Sequence, residues 1–421
     1  MRFSDWHKAI TWQERSAILG RFCLLLAIAA LPVHGPLVPI PLALGIVLLL
    51  PQAWAFHKLK NKGLLLLPVT FYLLHVLGMT WTTDVDFGLF DLEVKLSLLL
   101  VPMIAAGLVA SAERDMLRPA MVALSAGLLV AMVISGWSAS TCYGEHGWKE
   151  CFTQSYLSTL VHPSYMAWFA SWALLHWGRL LINGSRSGTG RRMASGTFVL
   201  LLIVYIIMLA SKSGLIGLVL VLAVLVATAV KRVPGPRRWL LVPGLVVVLA
   251  VPATIFSRVL SVRLGEAVQA VERLLDRDAT YVEAESSSDE RLVAWSCSVQ
   301  CLSASPWGAG TGDIKHALMA CYQEKGATAA IQHKLNSHSQ VLQSGVALGW
   351  PGLLLVCAMM VAPLALGIYR RDLFLAIFAL LFIINGAIES VLEVQAGVVF
   401  FILFFVILVR RKPLPEPHAH P

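Results

Sequence analysis

The sequence contains little charge. Only 14% of its 421 residues are Asp, Glu, Lys or Arg, and 57% are hydrophobic, whereas a soluble domain usually has about a quarter of its residues charged. This scarcity of charge excludes an ordinary soluble globular protein. It also concentrates the polar chemistry in one stretch of the chain, residues 257–347, where function is expected.

Long apolar runs occupy most of the remaining sequence. A helix needs about 20 mostly apolar residues to cross the hydrocarbon core of a bilayer. The pattern predicts an all-α, polytopic membrane protein with about 12 transmembrane helices and a long, partly helical external loop. The predicted spans are 17–33, 37–56, 64–81, 92–110, 119–137, 164–182, 195–210, 214–230, 239–256, 348–368, 373–388 and 396–409.

The sequence also lacks a signal-peptide cleavage site of the Ala-x-Ala kind after its first apolar stretch, which predicts a retained helix. Lys and Arg concentrate at the N-terminus and in every second connection, whereas the short connections between these hold only Lys149 and Lys212. The positive-inside rule then places both termini in the cytoplasm. The predicted division is helices 1–9 in 1–256, an external loop in 257–347, helices 10–12 in 348–410 and a cytoplasmic tail in 411–421.

Two helices are expected in the external segment. Apolar residues at helical spacing between Leu260 and Leu275 predict an amphipathic helix on the membrane surface. A serine-rich cap at 286–288 predicts the start of a second helix, which Pro306 ends. The glycines that follow, at 308, 310 and 312, predict a flexible turn.

Cysteines are few, and five of the seven fall in segments predicted to be external, where oxidation is possible. Cys142 and Cys151 are expected to close a short loop. Cys321 pairs with Cys297 or with Cys301, or all three are small buried hydrophobic residues, because spacing alone does not fix connectivity.

Motifs for a nucleotide or a metal are missing. The glycine turn has no strand before it, so it is not a dinucleotide-binding fingerprint. A solvated acidic loop is preferred over a divalent metal site for the nearby carboxylates, and no cofactor, metal or nucleic acid is expected. These carboxylates are Glu283, Glu285, Asp289 and Glu290.

Basic and hydrogen-bonding residues stand at predicted external helix ends. Lys212 lies in a polar break between two spans, Arg291 begins a helix, and His338 lies between two amides, Asn336 and Gln340. Guanidinium and ammonium groups near a bilayer suit a diphosphate, which needs positive charge and donors. The alternative is that these cations bind lipid headgroups or snorkel.

Four motifs follow one another in a recognisable order. They are RLVAW at 291–295, SPWGAGTG at 305–312, HSQVLQ at 338–343 and GWPGL at 349–353. In order and spacing the chain resembles the O-antigen ligase and polymerase superfamily of bacterial envelope glycosyltransferases. HPSY at 162–165 and ESVLEVQAG at 389–397 resemble one branch of it. Members usually carry Arg where Lys212 stands and often Asn where Ser339 stands.

The resemblance implies a metal-independent, inverting transfer of a glycan from undecaprenyl diphosphate at the periplasmic face of the inner membrane. It implies that Arg291 and Lys212 bind the donor diphosphate, with Arg258 or Arg263 assisting. His338 is expected to orient or deprotonate the acceptor hydroxyl, since an imidazole can accept a proton at neutral pH. Further residues are expected to line the acceptor side or to hydrogen-bond helix ends: His162, Asn336, Gln340, Glu389, Glu393 and Gln395.

Three acceptors are compatible with this chemistry. We favour ligation to lipid A core oligosaccharide. The alternative is polymerisation of O-antigen, capsule or exopolysaccharide repeats, and a protein hydroxyl is less favoured because only a short tail follows the last span. A transporter is a hypothesis of another class. It would need paired intramembrane charges in two related halves, but no repeat is visible and the main candidates within spans are His75 and Lys95.

Overall fold

The computed structural model describes residues 11–59, 62–108, 116–183, 188–232, 254, 265 and 287–411. Every regular element in these ranges is helical, which confirms the all-α class. The α-helices are α1 (Trp12–Ala30), α2 (Pro39–Leu49), α3 (Lys62–Gly78), α4 (Val85–Lys95), α5 (Ser97–Met103), α6 (Ala105–Leu108), α7 (Leu117–His146), α8 (Gln154–Leu157), α9 (Pro163–Asn183), α10 (Thr189–Leu209), α11 (Lys212–Arg232), α12 (Ser287–Ala304), α13 (Ile314–Glu324), α14 (Thr328–Gln332), α15 (Gln340–Tyr369), α16 (Leu373–Ile388) and α17 (Gln395–Arg410).

Six helices in the described ranges are long and apolar enough to cross a membrane. Two shorter apolar helices, α16 and α17, follow them. The expected total of about twelve spans therefore remains a prediction. The expected span 239–256 and the amphipathic helix 260–275 lie almost wholly outside the described residues. The six are Gly35–Lys58, Lys62–Trp81, Leu117–His146, Thr189–Leu209, Lys212–Arg232 and Gln340–Tyr369.

The expected span over 92–110 is not a single helix. The chain there forms the end of α4, then α5 and α6. Pro102 lies in α5 and lacks a backbone donor, which agrees with the break after Met103. The prediction of one continuous span here was wrong, and α4 instead carries Asp91 and Lys95 into the protein interior.

Helix α17 lies at the centre of the bundle. Every residue from Ala396 to Val409 is buried, as expected for a helix that is hydrophobic on all sides. Its Phe400 ring packs edge-on against Trp168 of α9 at 4.7 Å, and its Phe401 ring stacks on Phe382 of α16 at 4.2 Å. The turn 389–394, which leads into α17, is therefore anchored in the core.

Helix α15 begins earlier than the predicted span 348–368 and bends within it. Gly349 has φ +65° and ψ −154°, so two helical segments meet there. A Cβ at this glycine would lie 1.9 Å from the Pro306 carbonyl oxygen, which only glycine avoids. The segment before the bend carries Gln340 and Gln343 towards the residues that surround His338.

Helices α12 to α14 form a small unit with its own core. Val293, Ile314, Leu318 and Tyr322 are buried together there. A disulfide joins Cys297 to Cys321, so Cys301 is the free thiol. The other predicted pair, Cys142 with Cys151, is also a disulfide. The predicted end of the helix before Pro306 is confirmed. Ser286 lies outside the described residues, so the start of the helix in the serine cluster stays a prediction.

The glycine turn of the SPWGAGTG motif is packed rather than flexible, so that expectation was wrong. A Cβ on Gly308 would lie 2.4 Å from the Ala347 carbonyl oxygen, and one on Gly312 would lie 2.0 Å from that of Asp84. Asp313 then accepts hydrogen bonds from the Thr83 and Asp84 backbone at 2.6 and 2.9 Å. The glycines allow backbone to meet backbone, and this contact fastens the α12–α14 unit to α3 and α15.

Candidate active site

Three predicted site residues meet at the ends of three separate elements. Arg291 lies in the first turns of α12, His338 lies just before α15, and Glu389 follows α16. The Arg291 guanidinium donates to Glu389 Oε1 at 2.7 Å, and its Nε donates to the Ile388 carbonyl at 3.4 Å. His338 Nδ1 lies 3.5 Å from Glu389 Oε2, a close electrostatic contact that is long for a hydrogen bond. Glu389 therefore joins the two residues assigned to donor and acceptor chemistry.

The backbone at His338 is held in an uncommon conformation. Its φ is +43°, in the left-handed region that non-glycine residues seldom occupy. Its N–H donates to Asn336 Oδ1 at 2.9 Å, and its carbonyl accepts from Trp295 Nε1 at 3.2 Å. Next to it, the Ser337 N–H donates to Gln343 Oε1 at 3.0 Å. These bonds direct the imidazole towards Glu389.

The charge state of Glu389 favours a role in stabilising its neighbours over a role in proton transfer. Burial raises the pKa of this carboxyl, but His338 and the charge of Arg291 lower it to about 2. The group is thus ionised at neutral pH and is a poor base. It stabilises a positive charge on either neighbour. Because His338 Nδ1 is buried while the side chain keeps 22% of its surface exposed, the opposite ring edge, with Nε2, is the one open to a substrate.

A chain of hydroxyl groups extends from Glu389 towards Lys212. Ser164, at the start of α9, donates to Glu389 Oε1 at 3.1 Å. Ser211 donates to Ser164 at 3.0 Å and lies 3.2 Å from the Ser213 hydroxyl. Lys212 stands between these two serines and is the first residue of α11. The polar break that holds Lys212 therefore lies next to the Arg291–Glu389 pair.

Two predicted acceptor-side residues, Gln340 and the partly buried Glu393, contact each other next to these hydroxyl groups. Gln340 is fully buried; its Nε2 donates to Glu393 Oε1 at 3.2 Å, and its Oε1 accepts from the Leu392 N–H at 2.6 Å. Glu393 also accepts from Lys95 Nζ at 2.9 Å. Burial raises the pKa of Glu393, but the Lys95 ammonium lowers it below its ordinary value. Their contacts favour a role in holding the turn 389–394.

The other predicted residues lie around the site. His162 is exposed at the rim, with its ring edge-on to Tyr165 at 6.2 Å. Asn336 supports the His338 backbone and also accepts from the Ser390 hydroxyl at 3.4 Å. Gln395 begins α17. Arg258 and Arg263 lie outside the described residues, and their assignment stays a prediction.

The acidic residues near α12 have separate partners where they are described. Asp289 is buried, and Glu290 lies 2.8 Å from His333 Nδ1. Glu283 and Glu285 precede the described part of α12. In the described ranges no three His, Cys, Asp or Glu side chains are grouped as a metal site requires.

Sequence reasoning missed the role of several polar residues. It placed Lys95 in a span but did not pair it with Asp91, four residues earlier, or with Glu393, although an i, i+4 charge pair beside an apolar run is a visible signal. Ser164 and Ser211 carried no signal of their own. Only the packing of α9, α11 and α16 brings their hydroxyls to Glu389.

One protein family matches part of the chain. Residues 197–357 match the family model described as O-Antigen ligase. This part of the chain is similar to the O-antigen ligase family. No curated protein matches the chain significantly.

The O-antigen ligase match covers less than half of the chain. It includes some residues of the candidate site and leaves others outside. Lys212, Arg291 and His338 fall inside the matched residues. Glu389 and Glu393 fall beyond them, as do Ser164 and Lys95. The matched region therefore contains the three basic residues, whereas the two carboxylates lie outside it.

Proposed function

We propose that this O-antigen ligase superfamily member is an inner-membrane glycosyltransferase. It moves a glycan from undecaprenyl diphosphate to lipid A core oligosaccharide on the periplasmic face. The observation that carries the proposal is the Arg291–Glu389–His338 cluster, which combines a cation for a diphosphate with an imidazole for a hydroxyl. The family match supports the reaction class.

The donor side of the mechanism is electrostatic. Arg291 contributes a guanidinium group beside Glu389, and such a group matches the geometry of a phosphate and binds its oxygens. Lys212, at the N-terminus of α11, adds a second cation where a helix dipole also favours an anion. As the glycosidic bond breaks, charge grows on the diphosphate, and these groups lower the barrier by stabilising it.

The acceptor side needs a base. A sugar hydroxyl that reaches His338 Nε2 transfers its proton there while its oxygen attacks the anomeric carbon from the face opposite the diphosphate, which inverts the configuration. The ionised Glu389, 3.5 Å from Nδ1, stabilises the imidazolium that forms. His338 thus acts as general base, and Glu389 orients it.

The reaction is tested with purified protein in phospholipid vesicles, undecaprenyl diphosphate-linked glycan and lipid A core acceptor. We expect glycan on the lipid A core without added ATP, because the diphosphate bond supplies the driving force. Lengthened glycan on the carrier, with none on lipid A core, would indicate the alternative polymerase. Absence of both products would contradict a glycosyltransferase, and movement of intact donor across the bilayer alone would indicate a transporter.

The orientation is tested by cysteine labelling. A cysteine near Ser287 should react with a membrane-impermeant thiol reagent in intact spheroplasts, and one near Gly235 should react only after permeabilisation, because the Lys and Arg distribution places them on opposite sides. A background in which Cys301 is replaced by Ser removes the free thiol nearest the α12 probe. The reverse labelling pattern would place the Arg291–Glu389–His338 cluster on the cytoplasmic side and contradict the proposed reaction.

A further inference from the structure

A buried charge cluster lies directly beneath the proposed active site. Lys95 is fully buried and contacts the carboxylates of Asp91 and Glu393, the second at 2.9 Å. Asp91 Oδ2 has no hydrogen-bond partner in the described structure and lies 4.0 Å from His75 Nε2. The cluster joins α3 and α4 to the turn 389–394.

Such a cluster is costly for the folded protein. Charges removed from water pay a desolvation penalty that their mutual attraction often fails to repay, and ionisable residues inside membrane proteins usually serve function. Lys95 contacts Asp91 within its own helix, α4. The second carboxylate, Glu393, lies about 300 residues further along the chain. Its ion pair with Lys95 therefore also ties the turn 389–394 to α4.

We propose that Lys95 is a positioning residue for glycan transfer, holding Glu393 so that the turn 389–394 presents Glu389 to Arg291 and His338. This inference rests on the proposed function. It assigns to α4, outside the family-matched residues, a role in the geometry of the site.

The connection between the two carboxylates is short and rigid. Glu393 donates its N–H to the Ser390 carbonyl at 3.2 Å, and Val391 donates to the Glu389 carbonyl at 3.0 Å. Gln340 holds the same turn from the side of α15 through Glu393 and the Leu392 N–H. A displacement of Glu393 is therefore passed to Glu389, four residues earlier in the chain.

The test is a double-mutant cycle on the turnover of bound donor. Lys95→Met should lower turnover about tenfold in the wild-type background and less than about twofold in the Glu389→Gln background, because mutations that act through one group are not additive. Equal losses in both backgrounds would overturn the proposal. Complete inactivity of the wild-type protein would instead refute the proposed function.

A second readout does not depend on activity. Cysteines replacing Asn336 and Ser390, whose side chains are 3.4 Å apart, should form a disulfide readily when Lys95 is present. In Lys95→Met the disulfide should form at least about threefold more slowly, since the turn is no longer held in contact. An unchanged rate would overturn the proposal.

Variants that keep the protein folded complete the design. If Lys95→Met alone does not fold, Lys95→Met with Asp91→Asn and Glu393→Gln removes both carboxylates that lose their cation, and it should fold while transferring poorly. Transfer at the wild-type rate would overturn the proposal.

The matched control is Arg411→Met, which breaks a buried ion pair with Asp372 at 3.8 Å, away from the turn 389–394. In this variant, transfer and cross-linking should stay unchanged.

Discussion

Arg291→Ala should lower glycan transfer by about 10- to 100-fold while the protein remains folded. A charge-assisted hydrogen bond to a phosphate contributes about 1.5–3 kcal/mol, which corresponds to one to two decades in rate. The loss should exceed this range if Glu389, deprived of its 2.7 Å partner, repels the diphosphate. Steady-state transfer at limiting donor measures the effect, and the thermal unfolding temperature reports folding.

Two further variants show whether the geometry of the guanidinium matters. Arg291→Lys keeps the charge but loses the fork that holds Glu389 and a phosphate together, so its transfer should also be poor. Lys325→Ala is the matched control, because Lys325 is a cation of the same α12–α14 unit that bonds Ser296 at 2.5 Å, outside the cluster. Near wild-type transfer in either Arg291 variant would show that the diphosphate binds elsewhere in the protein.

The sequence predicted the apolar helices well because their signal is local. Six predicted spans coincide with helices long enough to cross a membrane, and α12 ends before Pro306 as predicted. The prediction failed over 92–110, where α4 to α6 replace one span. Hydrophobicity alone does not reveal that α4 carries a charge pair into the interior and ends at Lys95.

The glycine turn shows a second limit. From sequence, Gly308, Gly310 and Gly312 indicated freedom of the backbone, because the local signal for flexibility and for close backbone packing is the same. Which applies depends on the partner. Here Gly312 meets the Asp84 backbone and Gly308 meets Ala347, contacts that bring together residues far apart in the chain.

The residues of the candidate site were named from the sequence, but the contacts between them were not predicted. Arg291 and His338 stand in motifs, and Glu389 was noted as a candidate with an equally acceptable role in a turn. What the sequence does not contain is that Glu389 contacts both of them, since this depends on how the ends of α12, α15 and α16 come together in the fold. The role of Lys95 was not predicted for the same reason, because its partner Glu393 lies in the last part of the chain.

The second large effect is expected at His338. His338→Ala should lose most glycan transfer and keep donor binding, because the diphosphate is assigned to Arg291 and Lys212 and the imidazole to the acceptor hydroxyl. General-base catalysis typically contributes about 10²- to 10⁴-fold, so single-turnover transfer should fall within that range. Binding of undecaprenyl diphosphate-linked glycan is measured in the same preparations.

The backbone at His338 requires its own controls. Its φ of +43° strains alanine, whereas asparagine tolerates the left-handed region, so His338→Asn separates loss of the imidazole from a change of backbone. His338→Gln should retain more transfer only if hydrogen bonding to the hydroxyl matters more than proton removal, since an amide is no base at neutral pH. His333→Ala is the matched control, because His333 is exposed and paired with Glu290.

The results at His338 distinguish a general base from a donor-site residue and from a residue with no part in the mechanism. Loss of turnover with normal donor binding in His338→Ala and His338→Asn supports the general base, and the ionised Glu389 then explains how the imidazolium is stabilised. Normal turnover in both variants would remove His338 from the mechanism. Weakened binding of the carrier-linked glycan with normal single-turnover chemistry would make it a donor-site residue. In that case another residue supplies the base, and it is neither Ser164 nor Ser211, because their hydroxyls, which form a hydrogen-bonded path to the carboxylate, are not basic at neutral pH.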